Sequence, residues 1–437
     1  MAGVNFDKYH KLLRENDFVE YKGKVTKVVG LTIESEGPEV SIGELCRIRT
    51  VRNNDEIISE VVGFRDSRVL LMPLGDMSGI GPGATVIATG DSLNVAVGKN
   101  LVGRVLDGLG NPIDDKGPLD IEKYYPVNQK PPHPLTRKRI SRPLSLGIKA
   151  IDGLLTVGKG QRMGIFAGSG VGKSTLVGMI ARNTKADINV IALIGERGRE
   201  VREFIEKDLK EEGLSRSVVV VATSDQPALI RLKGALLATA IAEYFRDQNK
   251  DVLLMMDSLT RFAMAQREIG LAIGEPPVSR GYTPSVFATF PKLLERSGNS
   301  EKGSITGLYT VLVDGDDMNE PVTDAARGIL DGHIVLSRAL ANRNQYPAID
   351  VLASISRVMS DVTTPEHRKI SNEIKKAMAI YKDSEDLINI GAYVRGSSDK
   401  IDYAISVIDN IIGFLEQGTH DSYSYEEICE MMEQVLN

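Results

Sequence analysis

At 437 residues the chain exceeds what one hydrophobic core usually serves, so two or three domains are expected. Hydrophobic residues make up 42% and charged residues 26%, an ordinary globular balance. The net charge of −6 argues against a general nucleic-acid binder and leaves room for a local basic surface. Cys46 and Cys429 lie far apart without metal-ligand spacing and read as reduced cytosolic thiols. No uncharged stretch is long enough to span a bilayer, and no signal-peptide pattern opens the chain. The expectation is a cytoplasmic protein whose membrane contact is peripheral.

Residues 1–18 put Phe6, Tyr9, Leu12 and Leu13 on roughly one helical face, with Lys8, Lys11 and Arg14 around it. Two readings stand level: a terminal helix resting on the next domain, or a docking segment for a partner or a membrane surface. From Val19 to about Ala96 the chain is short β-rich runs broken by glycine and polar turns, such as Gly23–Val29, Glu60–Phe64 and Arg68–Met72. That texture predicts a small antiparallel barrel with a structural role. Leu101–Ile113 leads into a proline-containing connector, Tyr125–Leu144, which carries Arg137-Lys-Arg139 with Arg142 nearby. A solvated linker face is preferred there over a nucleic-acid contact.

The organising stretch is Gly164–Thr175. An apolar run, Met163–Phe166, reads as a buried strand, Ala167-Gly-Ser-Gly-Val-Gly172 as a glycine-rich turn, and Lys173-Ser174-Thr175 as the start of a helix. Glycines let successive backbone N–H groups converge on a phosphate, and the helix N-terminus adds partial positive charge. Gly168, Ser169, Gly170, Val171, Gly172, Lys173, Ser174 and Thr175 are the nucleotide-binding set, with Lys173 reaching β- and γ-phosphates and Ser174 placed to ligate Mg²⁺. Ala167 stands where the strict pattern has glycine, a small residue that still permits the turn.

Beyond the loop, apolar strands (Ile188–Ile194, Val218–Ala222, Val252–Met256, Thr306–Val313, Ile334–Leu336) alternate with amphipathic helices, of which Ala228–Phe245 is the clearest. This predicts a largely parallel sheet covered on both faces, with ligand at the carboxyl ends of the strands. From about Thr364 the pattern is helical: His367–Tyr381, Lys400–Leu415 and Tyr425–Leu436.

Three further clusters suit a nucleotide hydrolase. Val252–Met256 ends in Asp257, a strand-held carboxylate able to orient Mg²⁺ or one of its waters. Ile188–Ile194 ends in Gly195-Glu-Arg-Gly-Arg-Glu200, which sets Glu196 at the end of a strand that could neighbour the phosphate loop. From the residues alone, Glu196 is equally a water-polarising carboxylate or part of a surface ion-pair network with Arg197, Arg199 and Glu200. Tyr346–Arg357 is an apolar strand-like stretch; Arg357 could stabilise phosphoryl charge and Tyr346 could face a base, against the plainer readings of a salt bridge and a packed loop aromatic.

Ala167–Ser174, Gly195–Glu200, Leu254–Arg261 and Pro347–Ser356 together resemble the catalytic core of rotary-type ATPases. Asp257–Arg267 and Arg280–Gly298 look like the type III protein-export branch of that superfamily, and the resemblance spans essentially the whole chain. Leu387–Ser398 is more similar to the flagellum-specific ATPases than to the virulence-injectisome enzymes, where a Gly-Glu-Tyr run is usual. The resemblance implies an α/β P-loop (RecA-like) core with an N-terminal β-barrel and a C-terminal helical domain, divided as 1–18, 19–96, 97–363 and 364–437.

It also implies an ATP hydrolase with Mg²⁺ as cofactor. Glu196 matches the catalytic carboxylate, Lys173 and Ser174 the phosphate and Mg²⁺ contacts, and Asp257 the Walker B residue. Arg197 and Arg261 match supporting arginines, Arg357 an arginine finger given across a subunit interface, and Tyr346 the aromatic on adenine. The implied partners are further copies of itself in a homohexamer, a peripheral-stalk regulator at the N-terminal helix, and a coiled-coil central stalk near Glu268–Pro284. Export-gate membrane proteins and chaperone–substrate complexes complete the set, at the inner face of the membrane at the flagellar base, with no nucleic acid. Two rivals stand beside this reading: a nucleotide-binding subunit that does not hydrolyse, opposed by Glu196, and a ring-shaped RNA translocase, opposed by the net acidity.

Overall fold

The computed structural model describes residues 6, 10, 20–50, 55–313, 315 and 317–436. Apart from Phe6 and His10, the docking segment expected over 1–18 lies outside the described residues. The chain forms two compact units; one is built on the chain up to Leu93 with Pro227–Ile230 and Glu268–Pro276, and the other holds the rest.

The first unit holds six strands. They are β1 (Lys22–Val29), β2 (Thr32–Glu36), β3 (Glu44–Arg49), β4 (Glu56–Arg65), β5 (Arg68–Pro73) and β6 (Thr85–Ser92). Of these, β1 and β3 alternate most clearly between inward and outward residues, while β2 and β5 are buried almost throughout. They pair antiparallel in the order β1-β2-β5-β4-β3-β6, and β1–β6 pairing closes the barrel. Val25, Ile33, Ile48, Val61, Leu71 and Val86 fill the interior, as the two-residue period of a strand requires. Cys46 shares this interior, and burial pushes its thiol up to about 12, so it packs as a small hydrophobe.

The second unit opens with β7 (Asn94–Val97), β8 (Val105–Asp107) and β9 (Lys123–Pro126); β7 and β9 form a separate two-stranded ribbon. Its main sheet adds β10 (Arg162–Ala167), β11 (Ile188–Ile194), β12 (Ser217–Ala222), β13 (Asp251–Asp257), β14 (Gly298–Asn299), β15 (Ser304–Leu312), β16 (Gly332–Leu336) and β17 (Ile349–Ser356). The order is β17-β16-β10-β15-β13-β11-β12-β8, parallel except for β17 against β16, with β14 antiparallel beside β15. All seven residues of β11 are buried, as befits a strand covered on both faces.

Helices α1 (Lys149–Leu154), α2 (Lys173–Asn183), α3 (Ala228–Arg246) and α4 (Leu259–Ile273) belong to this core. Beyond it come α5 (Pro365–Asn389), α6 (Asp399–Leu415) and α7 (Tyr425–Val435). Thr364 caps α5 and a Ser424/Glu427 capping box starts α7, satisfying N–H groups that a helix start leaves free. Phe414, Leu415, Ile428 and Met432 pack into the same hydrophobic cluster as Ile151 and Leu154 of α1. His367 reinforces that seam, with Nε2 2.7 Å from the Gly153 carbonyl and its ring stacked on Tyr425.

Candidate active site

The turn after β10 delivers α2 at the carboxyl edge of the sheet. Gly172 is the N-cap of α2 with φ of 87°, and a Cβ there would lie 3.6 Å from the Tyr346 ring. Glycine therefore serves the left-handed backbone, since a Cβ would meet the ring only at ordinary contact distance. Ser169, Gly170 and Ser174 are exposed along this turn, while Gly168 and Val171 are buried.

Lys173 Nζ lies 2.5 Å from Asp257 Oδ1 and 3.5 Å from Glu196 Oε1. The three side chains are 12%, 6% and 16% exposed, so this ion cluster is largely dry. Burial works against the charge on Lys173, but the two carboxylates outweigh it and raise its pKa. Burial raises the Glu196 carboxyl to about 7; Lys173 opposes that, and Asp257 and Glu200 add to it. Thr310 of β15 also donates to Asp257 Oδ1, at 2.7 Å. The pattern of buried strand residues concealed Thr310, because β15 also carries the hydroxyls of Ser304, Thr306 and Tyr309, and each of these must find a partner.

Glu196 reaches Lys173 by a different route from the one expected. Its strand β11 does not neighbour β10: β13 and β15 stand between them. The Leu193–Asp257 register places Glu196 just beyond Asp257, at the end of the strand next to β13. Gly195 makes the turn with φ of 73°, and a Cβ there would meet the Arg261 stem at 2.8 Å.

The arginines separate into three environments. Arg261, on α4, has a buried Nε with no hydrogen-bond partner among the described residues, and its Nη1 contacts the Met264 sulfur at 3.8 Å. Arg197 is 78% exposed and pairs with Glu200 at 2.9 Å, on the surface away from Lys173. Arg357 follows β17, which runs against the other strands, so it sits at the opposite edge of the sheet. Its backbone N–H donates to Asp331 and its Nη1 to the Leu330 carbonyl at 3.2 Å. From Gly332, opposite Ser356, to Leu336, opposite Ile349, is four residues of strand; at about 3.3 Å per residue that is roughly 13 Å toward the phosphate-loop edge.

Tyr346, 42% exposed, lines a cavity of about 240 Å³ beside the loop, together with Val171, Thr175, Pro347, Gln417 and Thr419. The last two follow α6 and were not foreseen, because nothing in their composition distinguishes a cavity wall from a loop. Gln417 N–H donates to the Tyr346 carbonyl at 3.0 Å, while its side-chain amide is bonded to Lys149 N–H, Gly147 and Asp421.

These residues suit Mg²⁺. Asp257 and the exposed Ser174 hydroxyl are hard oxygen donors, and Mg²⁺ ordinarily takes one or two protein ligands with the rest from phosphates and water. Among the described residues no group of three His, Cys, Asp or Glu side chains could hold a metal alone. The metal would therefore be shared with the nucleotide's phosphates.

A strand-to-helix phosphate loop, a strand-held Asp257 and a neighbouring Glu196 on a parallel sheet define a phosphate-loop nucleotide-binding core. The nucleotide-binding domain of the ATP synthase alpha/beta family matches residues 147–356, its beta-barrel domain 25–90, and the C-terminal domain of the type III secretion ATPase EscN 363–434. The chain belongs to the ATP synthase alpha/beta family, in its type III secretion ATPase branch. It is 61% identical over 408 residues to the flagellum-specific ATP synthase of Bacillus subtilis (strain 168), covering 93% of each chain. It is 52% identical to the type 3 secretion system ATPase of Xanthomonas euvesicatoria, covering 95% of this chain and 94% of that one. The assembled ATPase EscN of the enteropathogenic E. coli type III secretion system superimposes with a TM-score of 0.89 at 47% identity, covering 95% of this chain and all of that one. EscN in complex with its central stalk EscO gives 0.88 at 48% identity over the same share of each chain.

Proposed function

We propose that this chain hydrolyses Mg·ATP to drive flagellar type III protein export, as a homohexameric ring whose sites lie between subunits. The convergence of Glu196 and Asp257 on Lys173 at the strand ends carries this reading. Lys173 binds the β- and γ-phosphates in place of its present carboxylate partners. This frees Glu196 to orient and accept a proton from the attacking water, and a carboxyl poised near 7 is suited to that exchange. Arg261 holds phosphate oxygens with its guanidinium, whose Nε has no partner among the described residues, and the Tyr346 ring packs on adenine. Ser174, and Asp257 through water, would hold Mg²⁺, which would supply positive charge to the phosphoryl oxygens. Arg357, at the far edge of its own sheet, serves the neighbouring subunit's site.

A central stalk protein, as with EscN and EscO, meets the ring's channel side. A peripheral-stalk regulator, the export gate and chaperone–substrate complexes are the remaining partners, reached from the inner face of the membrane. No helix among the described residues is long and apolar enough to cross a membrane. The 52% identity to the Xanthomonas enzyme favours one second reading, an injectisome ATPase.

Steady-state ATP hydrolysis against protein concentration, for wild type and Glu196→Gln, tests the mechanism. Turnover per subunit that rises with concentration and vanishes in the variant supports composite sites. Wild-type protein that binds ATP without hydrolysing it, with or without a stalk partner, overturns it. Deleting the gene and scoring motility against effector secretion separates the two export readings.

A further inference from the structure

The opposite edge of the sheet carries a cavity that the hydrolysis mechanism does not use. It measures about 310 Å³, and five of its ten lining residues are cationic: Lys138, Arg139, Arg142, Lys159 and Lys302. Asp251 is the one acidic residue among them. Both its oxygens are engaged, Oδ2 by Lys159 Nζ at 2.6 Å and Oδ1 by the Ser304 hydroxyl at 2.7 Å. Among the described residues, Lys138, Arg139, Arg142 and Lys302 have no ion-pair partner. A surplus of four positive charges gathered in one concavity is unusual on a chain of net charge −6.

The walls are fixed. Asn299 Nδ2 donates to the carbonyls of Lys138 and Arg139 at 3.1 and 3.3 Å, and Lys159 N–H donates to the Arg142 carbonyl at 2.9 Å. Arg137 locks the connector from behind, with Nη1 on the Ser297 carbonyl at 2.8 Å and Nη2 on Glu295. The frame therefore stands before any ligand arrives, while the cationic heads stay exposed to meet it. No aromatic or aliphatic side chain lines the cavity, so it offers no apolar wall to a nucleobase or an acyl chain.

We infer that this cavity is a binding site for a compact anion bearing two or more phosphate charges and no base. Asp251 opens β13, and six residues of that strand separate it from Asp257 at the nucleotide end, roughly 20 Å. The site is thus distinct from the phosphate loop, and its occupancy does not depend on the hydrolysis reading. Its ligand is either a free diphosphate or a lipid headgroup that carries two phosphodiesters close together, as cardiolipin does; both offer paired anionic phosphate groups to the same cations.

Calorimetric titration of the full chain with pyrophosphate, its phosphate loop saturated with a non-hydrolysable Mg·ATP analogue, is the test. One further equivalent should bind, weaken as salt is raised, and lose roughly ten- to a hundredfold in affinity in Arg142→Ala/Lys302→Ala. Lys138→Ala, an exposed single change, should show a smaller loss in the same direction, and unchanged thermal unfolding excludes misfolding. Sedimentation with phosphatidylcholine vesicles containing cardiolipin separates the sources: loss in the double variant together with the pyrophosphate site marks a headgroup site, and no vesicle binding marks a soluble ligand. Absence of the second equivalent in wild type, or its persistence in the double variant, overturns the inference. If the wild type takes no pyrophosphate and the double variant fails only to self-assemble, the cavity is a contact for acidic residues of another copy.

Discussion

The two edges of the main sheet are built from the same strands and do opposite things with charge. At the carboxyl edge, one lysine is neutralised by two carboxylates in a nearly dry setting, so the site without ligand is electrostatically closed on itself. At the other edge Arg357 rests on main-chain carbonyls, and the neighbouring basic cavity holds far more cations than acids. Cations satisfied by carbonyls or by water give up less on meeting a new anion than cations already paired with carboxylates. On the proposed mechanism, the first edge must exchange partners to take a nucleotide. The second is ready to be met from outside.

The sharpest way to break this contrast is Arg357→Ala. If that edge acts on a neighbour's site, turnover of the assembled protein falls on the order of 10³–10⁵-fold, while equilibrium nucleotide binding by dilute protein is unchanged. Binding that weakens in parallel with turnover would place Arg357 in its own subunit's site. Glu196→Gln should follow, with turnover lost by roughly 10²–10⁴-fold and nucleotide still retained, as read by single-turnover assay and a fluorescent analogue. Tyr346→Ala should raise KM about tenfold with little change in kcat, since stacking on a base is worth roughly 1–3 kcal/mol. An unaltered KM would remove the base from that cavity.

The last prediction concerns stability and leaves turnover aside. Arg104 holds Asp114 through two hydrogen bonds, at 2.7 and 2.9 Å, with side chains 11% and 6% exposed. Burial opposes the Asp114 charge, but Arg104 and the Val105 and Lys116 N–H groups prevail and hold the carboxyl far below its ordinary range. A depressed carboxylate stabilises the fold above its unfolded pKa, about 3.9, and that contribution is lost as pH falls further. Asp114→Asn should therefore cost about 3 kcal/mol at neutral pH, with the deficit shrinking below about pH 4 in denaturant titrations. A constant deficit across that range would assign the loss to packing.

The carboxyl edge was largely legible in the sequence, because a phosphate loop, a strand-ending Asp257 and a glycine-turned Glu196 each carry local signals. The place of Arg357 was not, since a run such as Ile349–Ser356 announces a strand and not its direction. Glu196 was singled out from its place at a strand end and does lie 3.5 Å from Lys173, but the two strands between β11 and β10 were not legible, because strand order is set by crossovers that no residue pattern records. Arg137 was grouped with a solvated linker face; polarity does not reveal that its guanidinium is anchored on Ser297 and Glu295. The barrel followed from alternation and turns, and its closure by β1 and β6 did not.

That closure has a consequence for company. A barrel whose first strand pairs with its last leaves no row of unpaired backbone groups along a sheet margin, so another chain cannot join it by lending a strand. Whatever touches this unit must be read by side chains alone. Such contacts can be retuned one residue at a time, and among the described residues this barrel offers crowded copies no strand margin of the kind that the open main sheet keeps at β17 and β8.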